Sequence, residues 1–188
     1  EKGRNKENEN EYIIIWTTTP WTIPFNMAVM VNPELDYVRC RIKGNSSKGD
    51  ASEGDEPNGN KPEEKDETWI LASSLAAPVI QAVANKEFEI IEEMKGEELE
   101  GMRYRQPFYE EIKFHPQEEE RSKKAKEGES SKRSYTVLLS KEYVTLSAGS
   151  GVVHCAPGCG PEDYEVGHKY KVPAFNEIDE TGTFPESM

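Results

Sequence analysis

At 188 residues with a formal net charge of −13, the chain can form one domain with its own core, and it is too acidic to hold a nucleic-acid backbone by its overall field. Hydrophobic residues make up 35% and charged residues 31%, and the charge is collected in a few stretches rather than spread along the chain. No apolar run reaches the roughly 18 residues of a membrane span, and the polar lead EKGRNKENENE (1–11) is not a signal peptide but a disordered or cut end. The three cysteines, Cys40, Cys155 and Cys159, are too few and too odd in number for a disulfide framework. Free thiols in a reducing, cytoplasmic setting are expected.

In chain order, the run at 12–16 is rich in β-formers. Strands are expected at 27–31 and 37–42, joined by Asn32-Pro33-Glu34-Leu35-Asp36, a turn sequence with proline at its second position. Residues 44–68 contain no large apolar side chain and carry more acids than lysines, so a mobile insertion is expected there. A short strand at 69–72 leads through Ser73 or Ser74, as a cap, into a helix at 75–85 with Pro78 in its first turn. A strand follows at 88–93. The polar stretch PQEEERSKKAKEGESSKRS (116–134) reads as a second mobile insertion. Strands are then expected at 135–139, 143–146 and 151–154, and a short helix at 162–170. Many short strands with few helices predict a mixed α/β fold, a β-barrel core with peripheral helices, in one domain spanning 1–188.

Two stretches carry candidate chemistry. In WTTTPWTIPFN, three threonines lie between Trp16 and Trp21, and Pro20 ends any ladder at that point. Hydroxyls at a strand end can each donate and accept, which suits an oxygen-rich ligand or a held water. The second stretch is GSGVVHCAPGCGPEDY (149–164). It is neither a dinucleotide fingerprint nor a phosphate loop. His154, Cys155, Cys159 and His168 lack the paired spacing of a structural zinc site, and no third group in the sequence marks either cysteine as a nucleophile. Asp163, at a glycine-rich turn near a histidine, could bind an ammonium group or simply cap a helix.

Together these two stretches resemble the signature segments of the editing domain of isoleucyl-tRNA synthetase, the connective insertion of class I synthetases. The stretches AVMVNP, WILA and GEELEGMRY lie between them in matching order, so the resemblance covers about 11–185 apart from the two insertions. Thr19 stands where valyl and leucyl relatives carry arginine. Motifs of the His-Ile-Gly-His and Lys-Met-Ser-Lys-Ser types are absent, so the chain resembles an editing domain cut from a larger enzyme, by itself monomeric. The absence of a transit peptide and the long insertions lean towards a cytosolic eukaryotic source.

The resemblance implies post-transfer editing: hydrolysis of valine esterified to the 3′-terminal adenosine of the isoleucine tRNA, in the company of the remaining synthetase chain. Asp163 would pair with the substrate ammonium group. Thr17, Thr18 and Thr19 would bind the adenosine and position water, without a metal or other cofactor. Trp16, Trp21 and Thr22 would wall the pocket, and the 158–160 turn, with Gly158 and Gly160, would touch the ligand. His154 would exclude the extra methylene of isoleucine. Ser150 departs mildly from the threonine usual there. Competing readings are a valyl- or leucyl-type editing domain and a tRNA-end binding module without hydrolysis.

Overall fold

Seven strands form two sheets among the residues that the computed structural model describes, 10–43, 66–147 and 149–185. The first sheet has the order β1-β4-β3-β5, built from β1 (Glu11–Ile13), β3 (Asp36–Ile42), β4 (Glu67–Ala72) and β5 (Phe88–Lys95). The second has the order β6-β2-β7, from β2 (Ala28–Val31), β6 (Val137–Leu139) and β7 (Val152–Cys155). Neither closes, so the expected barrel is replaced by two open sheets. The reason lies in β2, whose residues Ala28-Val29-Met30-Val31 are buried on both faces. A continuous apolar strand needs cover on two sides. Val29 and Val31 pack with Tyr37, Ile70 and Ala72 of the other sheet. Ala28 and Met30 pack with Phe25, Tyr135, Val166 and Phe175 on the opposite side. The first sheet is covered in turn on its outer face, where Val38, Cys40, Ile42 and Leu71 meet Ala76 and Ile80.

The turn after β2 forms as its sequence demands. The Leu35 amide donates to the Asn32 carbonyl at 3.3 Å, and Asn32 Oδ1 accepts the Glu34 amide at 3.0 Å. Helix α1 (Ser73–Ala77) starts without a side-chain cap and widens into a π-type turn over Pro78–Val83. Pro78 has no amide hydrogen to give, and the bonding shifts to longer spans, as in Ala84 N–H to Val79 O at 3.0 Å. Residues 143–146, expected as a strand, form a turn and coil instead. Ser140 Oγ accepts the Tyr143 amide, and the Val144 carbonyl accepts Asn32 Nδ2 at 3.0 Å, so its partner is a side chain and not a ladder.

The polar stretch 116–134 differs most from expectation, because helix α2 (Phe114–Lys124) runs into it. Its buried residues, His115, Glu118 and Ser122, recur at helical spacing but are polar. Each finds a partner. Glu118 Oε1 accepts the Ser134 hydroxyl at 2.8 Å, and the Arg103 guanidinium donates to Ser122 Oγ at 3.1 Å. Polar satisfaction orders this segment where apolar content could not. Of the other stretches expected to be mobile, residues 1–9 and 44–65 lie outside the described residues, whereas Glu11 and Glu67 open β1 and β4. Helix α3 (Pro161–Tyr170) has its proline in the first turn, where a missing amide hydrogen matters least.

Candidate functional site

Antiparallel pairing of β2 with β7 brings the two sequence stretches together. Val29 lies opposite His154 and Ala28 opposite Cys155, and the Met27 amide donates to the Cys155 carbonyl at 2.9 Å. The chain leading into β2 is a 3₁₀ turn, Pro20–Phe25, preceded by the three threonines. The chain leaving β7 turns through 156–160 into α3, which carries Asp163 in its first turn. By strand alternation His154 shares a face with Val152, which packs between the sheets, while Cys155 takes the opposite face toward α3.

A chain of hydroxyls runs from the threonines to His154. Thr17 Oγ1 accepts the Thr19 amide at 3.0 Å and lies 3.2 Å from Thr19 Oγ1. Thr19 Oγ1 is 3.5 Å from Thr22 Oγ1, and Thr22 Oγ1 donates to the Thr19 carbonyl at 2.8 Å. Thr22 Oγ1 also lies 3.1 Å from His154 Nε2. A hydroxyl has one proton, and a carbonyl can only accept. Thr22 therefore donates to Thr19 and accepts from His154, which fixes the ring proton on Nε2. Nδ1 is then a bare acceptor, buried and without a partner among the described residues. Burial pushes the His154 pKa down, partly opposed by the negative Asp163, so the ring is neutral at neutral pH.

Asp163 is half-buried and reaches across to the Ala156 amide, which donates to its Oδ2 at 2.9 Å. It is not a cap for its own helix, whose N-cap is Gly160. Burial raises its pKa, with the Ala156 hydrogen bond and His154 pulling the other way. A carboxylate held in this way gains from an incoming cation, since pairing offsets the lost hydration. A Cβ built on Gly160 would meet only Asp163, at 3.8 Å, an ordinary van der Waals contact, so the glycine leaves that side of the carboxylate without a side chain. Gly158 is different: a Cβ there would lie 2.4 Å from the Phe175 carbonyl oxygen, and the Gly158 carbonyl accepts Asn176 Nδ2. Its lack of a side chain serves packing against the C-terminal segment. Cys155 is buried, its thiol pKa raised well up by burial, and its Sγ–H points to the Asp163 carbonyl at 3.6 Å, so it stays a protonated packing residue.

Trp16 and Trp21 stay 51% and 56% exposed. Trp16 packs on Gly149, where a Cβ would fall 2.8 Å from that of the tryptophan. Thr18 is exposed and stands outside the hydroxyl chain. Thr17, Thr19, Thr22, His154 and Asp163 are thus gathered on two adjoining chain segments, with the tryptophans as an open rim. Sequence reasoning missed Gln106 and His115, whose side chains bond the Ile23 and Pro24 carbonyls of the 3₁₀ turn, and Tyr135, whose hydroxyl meets His115. The one available signal was a histidine and a tyrosine at the two ends of an otherwise charged stretch.

No family model matches the chain. Isoleucine–tRNA ligases do. That of Pyrococcus horikoshii is 39% identical over 178 residues, 95% of this chain, and that of Methanocaldococcus jannaschii is 39% identical over 189 residues, 98% of this chain. The chain spans only 14% and 15% of those two proteins, so the likeness is to one segment of a much longer molecule. Both relatives are archaeal enzymes, which lend the expected eukaryotic source no support. Among solved structures, the leucyl-tRNA synthetase fragment GlLeuRS-CP1 has TM-score 0.54 at 20% identity, covering 93% of this chain and 60% of that one. The cytosolic leucyl-tRNA synthetase editing domain of P. knowlesi has TM-score 0.51 at 16% identity, covering 82% and 48%. The segment therefore has the fold of a synthetase editing domain. Among the described residues no helix is long and apolar enough to cross a membrane.

Proposed function

We propose that the chain is the editing module of an isoleucyl-tRNA synthetase and hydrolyses valine from the 3′-terminal adenosine of the isoleucine tRNA. The observation that carries this reading is the pairing of β2 with β7, which joins the segment of Thr17, Thr19 and Thr22, bonded on to His154, with the segment that carries His154 and Asp163. An apolar pocket that admits isoleucine cannot strongly reject a side chain one methylene smaller, because a methylene is worth only about 1–3 kcal/mol, and isoleucine against valine is the standard illustration of that limit. A second site that admits only the smaller product resolves this.

In this reading the Asp163 carboxylate pairs with the α-ammonium group and so fixes the ester carbonyl. Thr17, Thr18 and Thr19 hold the terminal ribose and a water molecule, and Trp16 and Trp21 cover the adenosine from the open rim. Water adds to the carbonyl carbon, the tetrahedral intermediate collapses, and the ribose oxygen leaves with a proton. The neutral His154 ring, held in place by Thr22, closes the side-chain pocket against isoleucine. Gly160 leaves room for the ammonium group before Asp163, and Gly158 keeps the turn in place. The larger synthetase chain would deliver the tRNA end.

Titration of the chain with a hydrolysis-resistant valyl-adenosine analogue and its isoleucyl counterpart, followed by amide NMR, tests the reading. Valyl binding at Thr17, Thr19 and Asp163, with isoleucyl much weaker, supports it; equal binding of both, or binding elsewhere, defeats it. His154→Ala should then admit the isoleucyl ester, raising its cleavage relative to valyl by about 10–200-fold, the range for one methylene.

A further inference from the structure

Behind the Pro20–Phe25 turn, two fully buried polar side chains hold successive backbone carbonyls. Gln106, 2% exposed, donates from Nε2 to the Ile23 carbonyl at 3.0 Å, and its Oε1 accepts the Phe108 amide. His115, 0% exposed, lies with Nε2 2.9 Å from the Pro24 carbonyl and Nδ1 2.8 Å from the Tyr135 hydroxyl. A carbonyl only accepts, so His115 Nε2 carries the proton and Nδ1 accepts from Tyr135. Tyr135 is tied in turn to the chain that leads into β2, its amide donating to the Met27 carbonyl at 2.7 Å.

We infer that His115 and Gln106 are positioning residues for the hydroxyl chain, clamping the rear of the turn whose front presents Thr19 and Thr22 to His154. The inference rests on the editing reading given above for what the hydroxyls do. Pro20 and Pro24 carry no amide hydrogen, so two of the turn's six residues give nothing to its backbone ladder, and Thr22 N–H to Thr19 O and Asn26 N–H to Ile23 O, each 3.0 Å, tie its two ends to the flanking chain. Thr22 stands one and two residues from the clamped carbonyls, and its hydroxyl must meet both Thr19 O and His154 Nε2. Burial keeps the His115 ring neutral, which preserves the donor–acceptor order of the clamp. Both residues come from the segment between β5 and β6, outside the two stretches that bear the hydroxyls and Asp163.

The histidine ring spectrum of the unmodified chain is the first test. Long-range ¹H–¹⁵N correlations should give His115 as the Nε2–H tautomer with an unprotonated Nδ1; the opposite tautomer overturns the clamp. The second test compares His115→Leu, which removes the donor, with His115→Gln, which can restore one to Pro24. His115→Leu should shift the amide resonances of Thr19, Trp21, Thr22, Ile23, Phe25 and His154 while leaving those of β3 and β4 in place. In the full synthetase it should lower kcat for deacylation about tenfold or more with KM within about twofold of the parent, and His115→Gln should recover most of the loss. A fall in melting temperature with turn resonances and kcat unchanged means a structural role only, and sinks the proposal. If His115→Leu does not fold, Gln106→Leu is read in the same way, and the ring tautomer still decides. A synthetase that deacylates nothing, with the tautomer and the turn resonances as expected, refutes the editing reading and leaves the clamp standing.

Discussion

Thr22 Oγ1 and His154 Nε2 meet at 3.1 Å across 132 residues of sequence, and the hydroxyl's single proton fixes which of them donates. Replacing Thr22 by valine keeps the shape and removes the acceptor. His154 Nε2–H then loses its partner, a loss of about 1–3 kcal/mol for a group left buried and unpaired, while the exposed Thr19 carbonyl keeps the residue-22 amide. The measurable sign is the histidine ring: with Thr22 absent, nothing holds the proton on Nε2, and the His154 ring nitrogen shifts should move toward a tautomer mixture. Unchanged shifts in Thr22→Val would mean that the pair does not order the ring.

Asp163 separates charge from hydrogen bonding. Asp163→Asn can still accept the Ala156 amide, so the turn at 156–160 should keep its amide shifts. What it loses is the negative charge. If that charge holds an ammonium group, binding of the valyl analogue should weaken by about 10–100-fold, the equivalent of a charged hydrogen bond of about 1.5–3 kcal/mol. A neutral analogue lacking the amino group should bind parent and variant alike. Equal loss for both analogues would assign Asp163 to shaping the turn.

Much of this site was legible because its donors and acceptors sit close together in sequence. Thr17, Thr19 and Thr22 share one short segment, and His154 and Asp163 share another. What was not legible is set by contacts distant in sequence. The parallel pairing of β1 with β4 and of β2 with β6 leaves no mark in strand alternation, so two open sheets could not be told from a barrel. The apolar run of β2 was the available clue to burial on two faces. Helix α2 escaped because apolar periodicity is the usual signal for a packed helix, and its packed face is made of His115, Glu118 and Ser122. Gly158 reads in sequence like a ligand-facing glycine, but only the return of Phe175 reveals what it makes room for.

The two buried histidines contribute to the acid limb of stability near neutral pH. Both His115 and His154 have pKa values lowered from the ordinary 6.5 by burial. Below that value the unfolded chain takes up protons that the folded chain does not, so stability falls as pH drops from about 6.5 toward the folded values. Asp163, with its pKa raised from 3.8, acts in the opposite sense: its folded form binds a proton more readily, so its contribution is lost as pH rises from 3.8 through the folded value. Chemical denaturation between pH 7 and pH 5 should show decreasing stability in the parent, and a flatter profile in His115→Gln. An equally steep profile in that variant would place the titration elsewhere.

Two glycines near the site should respond in opposite ways to alanine. Gly151 has φ +72°, and a Cβ there would lie 2.3 Å from that of Ala72 across the two sheets. Gly151→Ala combines a left-handed backbone, about 1–2 kcal/mol, with overpacking between layers, about 1–3 kcal/mol. It also disturbs the Gly151 carbonyl, which accepts the buried Tyr37 hydroxyl at 2.7 Å. A loss of that size is a large part of a small domain's stability, so the melting temperature should fall sharply. Gly160 has an extended backbone with φ −143°, and its Cβ would meet only Asp163 at 3.8 Å. Gly160→Ala should therefore fold with stability close to the parent. If the space before Asp163 receives an ammonium group, the same methyl would narrow it, and binding of the valyl analogue should weaken while the melting temperature holds. Loss of stability in Gly160→Ala, or undiminished binding, would mean that this space is not where the ligand lies.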